Sequence, residues 1–135
     1  MGYVGLLKLL TTVTVIGLLI GTVATASEFK LLVTESCSAT RDTFNFECEE
    51  QQDEHTLLMV EGNWFGKEKQ RNVPLGVLKD NAAILILKNP VLFDGTDTIH
   101  IFKETMTFYW VQTAYSTILG RSELTTKRGY VLTIE

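Results

Sequence analysis

The stretch TMTFYWVQTAYST, Thr105 to Thr117, decides the fold class. It carries Phe108, Tyr109, Trp110, Val111 and Tyr115, the aromatic and β-branched types that fit a pleated, partly buried surface. Apolar residues occupy both parities from Phe108 to Val111, so the stretch reads as a central strand. Upstream, Thr43 to Glu49 alternates, with Phe44, Phe46 and Cys48 on one face and Asn45 and Glu47 on the other. Such a period of two marks a strand with one buried face.

Working outward, strand readings cover most of the chain after residue 26. They fall at Glu28 to Val33, His55 to Trp64, Val73 to Leu78, Ala82 to Leu87, Val91 to Phe93, Thr98 to Lys103 and Gly129 to Ile134. Pro74 cannot donate to a ladder, which predicts an edge strand for Val73 to Leu78. The continuous apolar run Ala82 to Leu87 predicts a strand buried on both sides. Polar connections separate the strands: Ser36 to Asp42, the acidic run Glu49 to Glu54, and the charged turn Gly66 to Asn72. Asp94-Gly95-Thr96-Asp97 has the composition of a tight turn. Ile118 to Arg128 is polar and has room for one short helical turn. No long amphipathic helix pattern, repeat or low-complexity linker follows residue 26. About eight short strands joined by short turns predict a single all-β domain, an antiparallel barrel or a sandwich. The barrel is the favoured form, because short turns make successive strands pair.

The first 26 residues differ from all this. Met1 to Ala26 holds one charged side chain, Lys8, then an apolar run, and closes on Ala24-Thr25-Ala26. A positive start, an apolar middle and an A-x-A exit make a secretory signal helix, with cleavage expected between Ala26 and Ser27. Leu9 to Ala26 also approaches the length of a membrane span, so a retained anchor is the alternative. Both readings place residues 27–135, one exported domain, outside the cytoplasm: periplasmic or secreted, or tethered to the inner membrane. Any membrane contact would run through the N-terminal helix alone.

Removing 26 of the 135 residues leaves 109, with one of 12 basic residues and none of 16 acidic residues lost. The remaining charge of −5 argues against nucleic acid as a partner, since phosphate binding needs basic clusters. Two cysteines, Cys37 and Cys48, in an exported chain predict one disulfide. A tight hairpin about Thr40 would set Cys48 opposite Leu32, so the bond requires a wider loop or Cys37 in a neighbouring element. The alternative is two buried thiols.

Motifs for chemistry are absent from the sequence. No G-x-S-x-G elbow or metal-spaced His/Cys cluster occurs, and His55 and His100 stand 45 residues apart. The acidic run lacks regular calcium-loop spacing. The chain therefore reads as a non-enzyme with no catalytic residue, no metal and no cofactor. Aromatic side chains supply contact area at low entropy cost, which makes Trp64, Phe65, Tyr109 and Tyr115 the candidate contact residues. Trp64-Phe65 precedes a glycine turn, and its partial exposure is expected.

The stretch Arg121 to Val131, RSELTTKRGYV, resembles a C-terminal pattern of small exported proteins of bacteria and their phages. There, a strand leads into an Ile/Leu-Asp/Asn-Arg-x-Thr-Gly turn and a last strand, with a Cys and a Trp upstream, as Cys48 and Trp64 are here. Leu124 and Gly129 match; Thr126 and Arg128 stand where the pattern has Arg and Thr. The resemblance implies an exported β domain and transfers no catalytic residue. Gly129 is expected to supply an unusual backbone angle before the last strand. The function expected from all these features is binding of a protein or cell-envelope component. An inhibitor or immunity-like role against a secreted enzyme, or carriage of a lipid or small ligand, is the alternative.

Overall fold

The computed structural model describes residues 26–40, 45–91, 94–116 and 121–134. The expected signal helix and its cleavage-site motif lie outside them, apart from Ala26. Eight strands form: β1 (Ala26–Thr40), β2 (Glu47–Val60), β3 (Asn63–Glu68), β4 (Arg71–Asp80), β5 (Ile84–Lys88), β6 (Gly95–Phe102), β7 (Thr107–Ser116) and β8 (Arg121–Ile134). Each pairs antiparallel with its sequence neighbours, and β1 pairs with β8, which closes the sheet into a barrel. Of the two forms expected, the barrel is the one found. Among the described residues there is no helix, and so none long and apolar enough to cross a membrane.

Local chemistry sets the turns at one end. Glu61 and Gly62 both adopt positive φ, 52° and 80°, the geometry of a two-residue hairpin that matches strand twist. Asn81 Oδ1 accepts from the backbone N–H of Ala83 and of Ile84, each at 2.9 Å, a side-chain mimic of a backbone turn. At the other end Lys69 and Gln70 join β3 to β4. These are the Gly62 end and the Gln70 end of the barrel.

Successive residues on a strand point to opposite faces, and the buried set follows that rule. Leu31, Val33, Leu57, Leu85, Leu87, Ile99, Ile101, Phe108 and Val131 face the lumen, with Phe29, Met59 and Met106 packed against them. Their burial is the main stabilising term, about 1.5–3 kcal/mol for each large side chain. The alternate residues form the outer wall, where Lys30 pairs with Glu54 at 3.3 Å and Arg128 with Glu35 at 2.8 Å.

Several local expectations are corrected. Ser36 to Thr40 and Glu49 to Glu54 are strand, not connection: β1 carries a partner on each side, and β2 pairs along it from Glu47 to Val60. Cys37 lies directly opposite Cys48 across the wider connection, with sulfurs 2.10 Å apart, at disulfide distance. Such a pair is compatible with an oxidising environment. Both cysteines lie on the outer wall: Cys48 by alternation from inward Leu57, and Cys37 because the register shifts between Val33 and Glu35 and the parity of β1 flips there. Phe46 is accordingly exposed rather than buried. Val73 to Leu78 is no edge strand; Pro74 is tolerated where β4 pairs with β3 but not yet with β5, whose pairing begins at Gly76. Only Leu85 and Leu87 of the apolar run are buried. The turn expected over Gly66 to Asn72 is reduced to Lys69 and Gln70, and Arg121 to Arg128 belong to β8.

Two glycines have different roles from those expected. Asp94-Gly95-Thr96-Asp97 is no tight turn, since β6 begins at Gly95; a Cβ there would lie 2.1 Å from the Thr113 carbonyl oxygen. Gly129 has no positive φ; the one positive-φ glycine among the described residues is Gly62. Gly129 instead permits close approach of β8 to β1, at the bulge beside Leu32 and under the Phe108 ring.

Candidate functional site

Among the described residues, the lumen is filled at the Gly62 end and open at the Gln70 end. Phe29 and Trp64 stack at 5.1 Å within the filled half. Toward the Gln70 end, the inward position changes from apolar to polar on several strands. On β2, Leu57 gives way to His55; on β6, Ile99 to Asp97; on β7, Trp110 to Gln112; on β8, Val131 and Gly129 to Lys127. Above this layer lies a cavity of about 950 Å³. Its floor is Leu31, Leu57, Ile99 and Trp110, its wall is the polar layer with Asn89, and its rim is the β3–β4 turn from Lys67 to Arg71.

Trp110 organises the floor. Its indole N–H donates to Asp97 Oδ1, while Gln112 Nε2 donates to Oδ2 at 3.0 Å. Both carboxylate oxygens are thereby occupied. The His55 ring meets the Trp110 ring edge-on at 4.7 Å, and Lys127 Nζ stands 5.1 Å from the indole centroid. That is cation–π distance. Burial holds the His55 pKa below 6.5, helped by the Lys127 charge and opposed by Asp53. Its imidazole is therefore neutral at pH 7. His55 Nε2 and, further along β2, Gln51 Oε1 are buried without a hydrogen-bond partner among the described residues.

The four aromatic candidates from the sequence do not converge. Trp64 points into the lumen at 9 % exposure, whereas Phe65, its neighbour, takes the outer wall. Strand alternation forbids the shared exposure expected of the pair. Tyr109 and Tyr115 are exposed on the outer wall of β7, at 45 % and 44 %. Tyr109 meets the Phe102 ring edge-on at 6.1 Å, near exposed Tyr130 and Leu132. Arg128 pairs with Tyr109 across β7 and β8, and its guanidinium pKa is raised first by its hydrogen bond to Glu35 and then by Tyr109.

Residues that do converge escaped the sequence reading. Asp97 was hidden in an apparent turn, and Lys127 in a polar stretch; His55 read as an ordinary strand histidine. The usable signal was parity: Phe108, Trp110, Gln112 on β7 and Val131, Gly129, Lys127 on β8 each change from apolar or glycine to polar along one face. Among the described residues, one other group clusters with metal-like spacing, Glu35 with Cys37 and Cys48. With the two sulfurs at disulfide distance it offers no thiolate.

Compared with protein-family models, curated proteins and solved structures, the chain matches none of them.

Proposed function

We propose that this protein is an exported, non-catalytic binding barrel that holds one small amphipathic molecule in the open end of its lumen. The observation that carries the reading is the half-filled interior: a cavity of about 950 Å³ with an apolar floor and a wall of polar side chains. An eight-stranded barrel is just wide enough to be filled by side chains or to hold one small ligand. The cavity volume lies within the range of about 300–1,000 Å³ common for small-molecule sites. The unpartnered buried His55 Nε2 adds hydrogen-bonding capacity to its wall. Asp97 is fixed by Trp110 and Gln112, which suits orientation of a wall rather than proton transfer. Export rests on the leader composition and on the cysteine pair.

Native mass spectrometry of protein recovered gently from an exporting host tests this. The expected spectrum shows a non-covalent adduct that disappears on denaturation. An apolar fluorescent dye should also bind saturably, with a change in tryptophan emission that Trp110→Phe abolishes. Absence of both an adduct and saturable dye binding would overturn the reading.

A second reading, contact with a protein or envelope component, is favoured by the outer patch of Phe102, Tyr109, Tyr130 and Leu132. Replacing Tyr109 and Tyr130 with serine should then abolish capture of that partner while leaving dye binding intact.

A further inference from the structure

We propose that the ligand is an anionic amphiphile, its apolar body on Leu31, Leu57, Ile99 and Trp110 and its acidic head on Lys127. This inference rests on the small-ligand reading above and adds the charge and orientation of the molecule bound. The protein as a whole has a net charge of −4, yet among the described residues the cavity is lined by four cations, Lys67, Lys69, Arg71 and Lys127, and by two anions, Glu68 and Asp97. Both anions are already engaged. Glu68 pairs with Arg71 at 3.3 Å, and each Asp97 oxygen accepts a side-chain N–H. Lys67, Lys69 and Lys127 have no carboxylate partner within 4.0 Å among the described residues.

Lys127 is the telling member. It sits on the inner wall, half-buried, over the face of Trp110. A compensating group stabilises a partly buried cation on the lumen wall. The indole face does so in part, and an acidic head group would complete it. Lys67 and Lys69 lie at the rim, where they add long-range attraction for an anion entering the mouth. The other inward acids of β2 lie outside this lining: Glu47 and Glu49 border a separate hollow of about 270 Å³ with Ser36 and Ser38, and Asp53 stands on the same face, where it acts on His55. If that acidic strip dominated, a cationic amphiphile would be preferred, so head-group charge is a fair test.

The experiment titrates protein from an exporting host with four probes of one chain length: decanoate, decyl sulfate, decanol and decyltrimethylammonium. Displacement of the apolar dye reads binding. The anions are expected to bind about tenfold tighter than decanol, and the cation weakest. Lys127→Met should remove that advantage while leaving decanol affinity unchanged, and Lys127→Arg should restore most of it. An unchanged melting temperature excludes a folding defect. Decanoate preferred over decyl sulfate would assign a carboxylate head; the reverse would assign a sulfate- or phosphate-like one. Equal binding of decanol and the anions, or tightest binding of the cation, would overturn the inference while leaving the small-ligand reading intact. Failure of all four probes and of the dye would overturn both.

Discussion

Replacing Gly129 with alanine should destabilise the barrel far more than replacing Gly66, although both glycines lie on strands and neither has a positive φ. A Cβ on Gly129 would fall 1.7 Å from the Leu32 carbonyl oxygen and 3.2 Å from Phe108 Cε1. Real Cβ contacts essentially never fall below 3.0 Å, so the Leu32 carbonyl must retreat by about 1.3 Å. That carbonyl belongs to β1 at the bulge where it meets β8, the pairing that closes the barrel. Overpacking costs about 1–3 kcal/mol, and each ladder hydrogen bond lost costs about 0.5–1.5 kcal/mol more. The expected total is about 3 kcal/mol. For a domain near 100 residues, each kcal/mol moves the melting temperature by about 4–8 °C, so Gly129→Ala should melt at least about 12 °C lower. At Gly66 the nearest atoms, Leu75 Cδ2 and Asn89 Oδ1, would lie at 3.8 and 4.0 Å, ordinary contact. Gly66→Ala should be neutral or slightly stabilising, because alanine narrows the unfolded ensemble. Thermal unfolding followed by circular dichroism reads both. Equal melting temperatures for the two variants would refute the close-approach argument.

Three other outcomes follow from the structure and the sequence. Reducing the Cys37–Cys48 bond, 11 residues apart, should cost about 3 kcal/mol from the loop-entropy relation, seen as a drop in melting temperature with reductant that a Cys37→Ala/Cys48→Ala variant does not show. The depressed pKa of His55 means that the unfolded chain takes up its proton first. Stability should therefore be complete above about pH 6.5 and fall as pH drops through and below that value; His55→Gln should show a shallower loss between pH 7.5 and 5.5, and equal slopes would contradict it. Intact mass of protein from an exporting host should begin at Ser27 and be lighter by two hydrogens than the reduced form; a mass that retains Met1 would instead indicate a tethered domain.

Much of the fold was legible because strand alternation is a local property. Within the stretch Thr105 to Thr117, Thr107 to Ser116 forms β7 with Phe108 and Trp110 inside and Tyr109 outside, and short turns implied that neighbours pair. What misled was composition. The acidic run Glu49 to Glu54 looks like a loop, but a strand needs polar partners only for its backbone, and β1 supplies them. Asp94-Gly95-Thr96-Asp97 looks like a turn, but Gly95 is there for its close approach to the Thr113 carbonyl. Register was illegible for a further reason. One bulge between Val33 and Glu35 changes which face every later residue of β1 occupies, and nothing in the residues Val33-Thr34-Glu35 announces it. That single flip puts Cys37 on the outer wall and turns Ser36 inward.

The site was less legible than the fold because its parts lie far apart in sequence. His55, Asp97, Gln112 and Lys127 come from four strands and meet only when β1 and β8 close the barrel. Taken singly, each is an ordinary polar residue in a strand. Their joint placement is not ordinary. On β2, β6, β7 and β8 the inward face is apolar or glycine toward the Gly62 end, then turns polar at the margin of one cavity. Polar side chains scattered along a lumen would each require separate compensation for lost hydration. Here they gather into one layer around Trp110: Gln112 donates to Asp97, while His55 and Lys127 pack against the indole. A barrel selected for stability alone would continue its aliphatic pattern through Gln112 and Lys127 and fill the space. The coordinated change of polarity across four strands thus ties the empty volume to the polar wall, and it is the reason for treating the two as a single binding site.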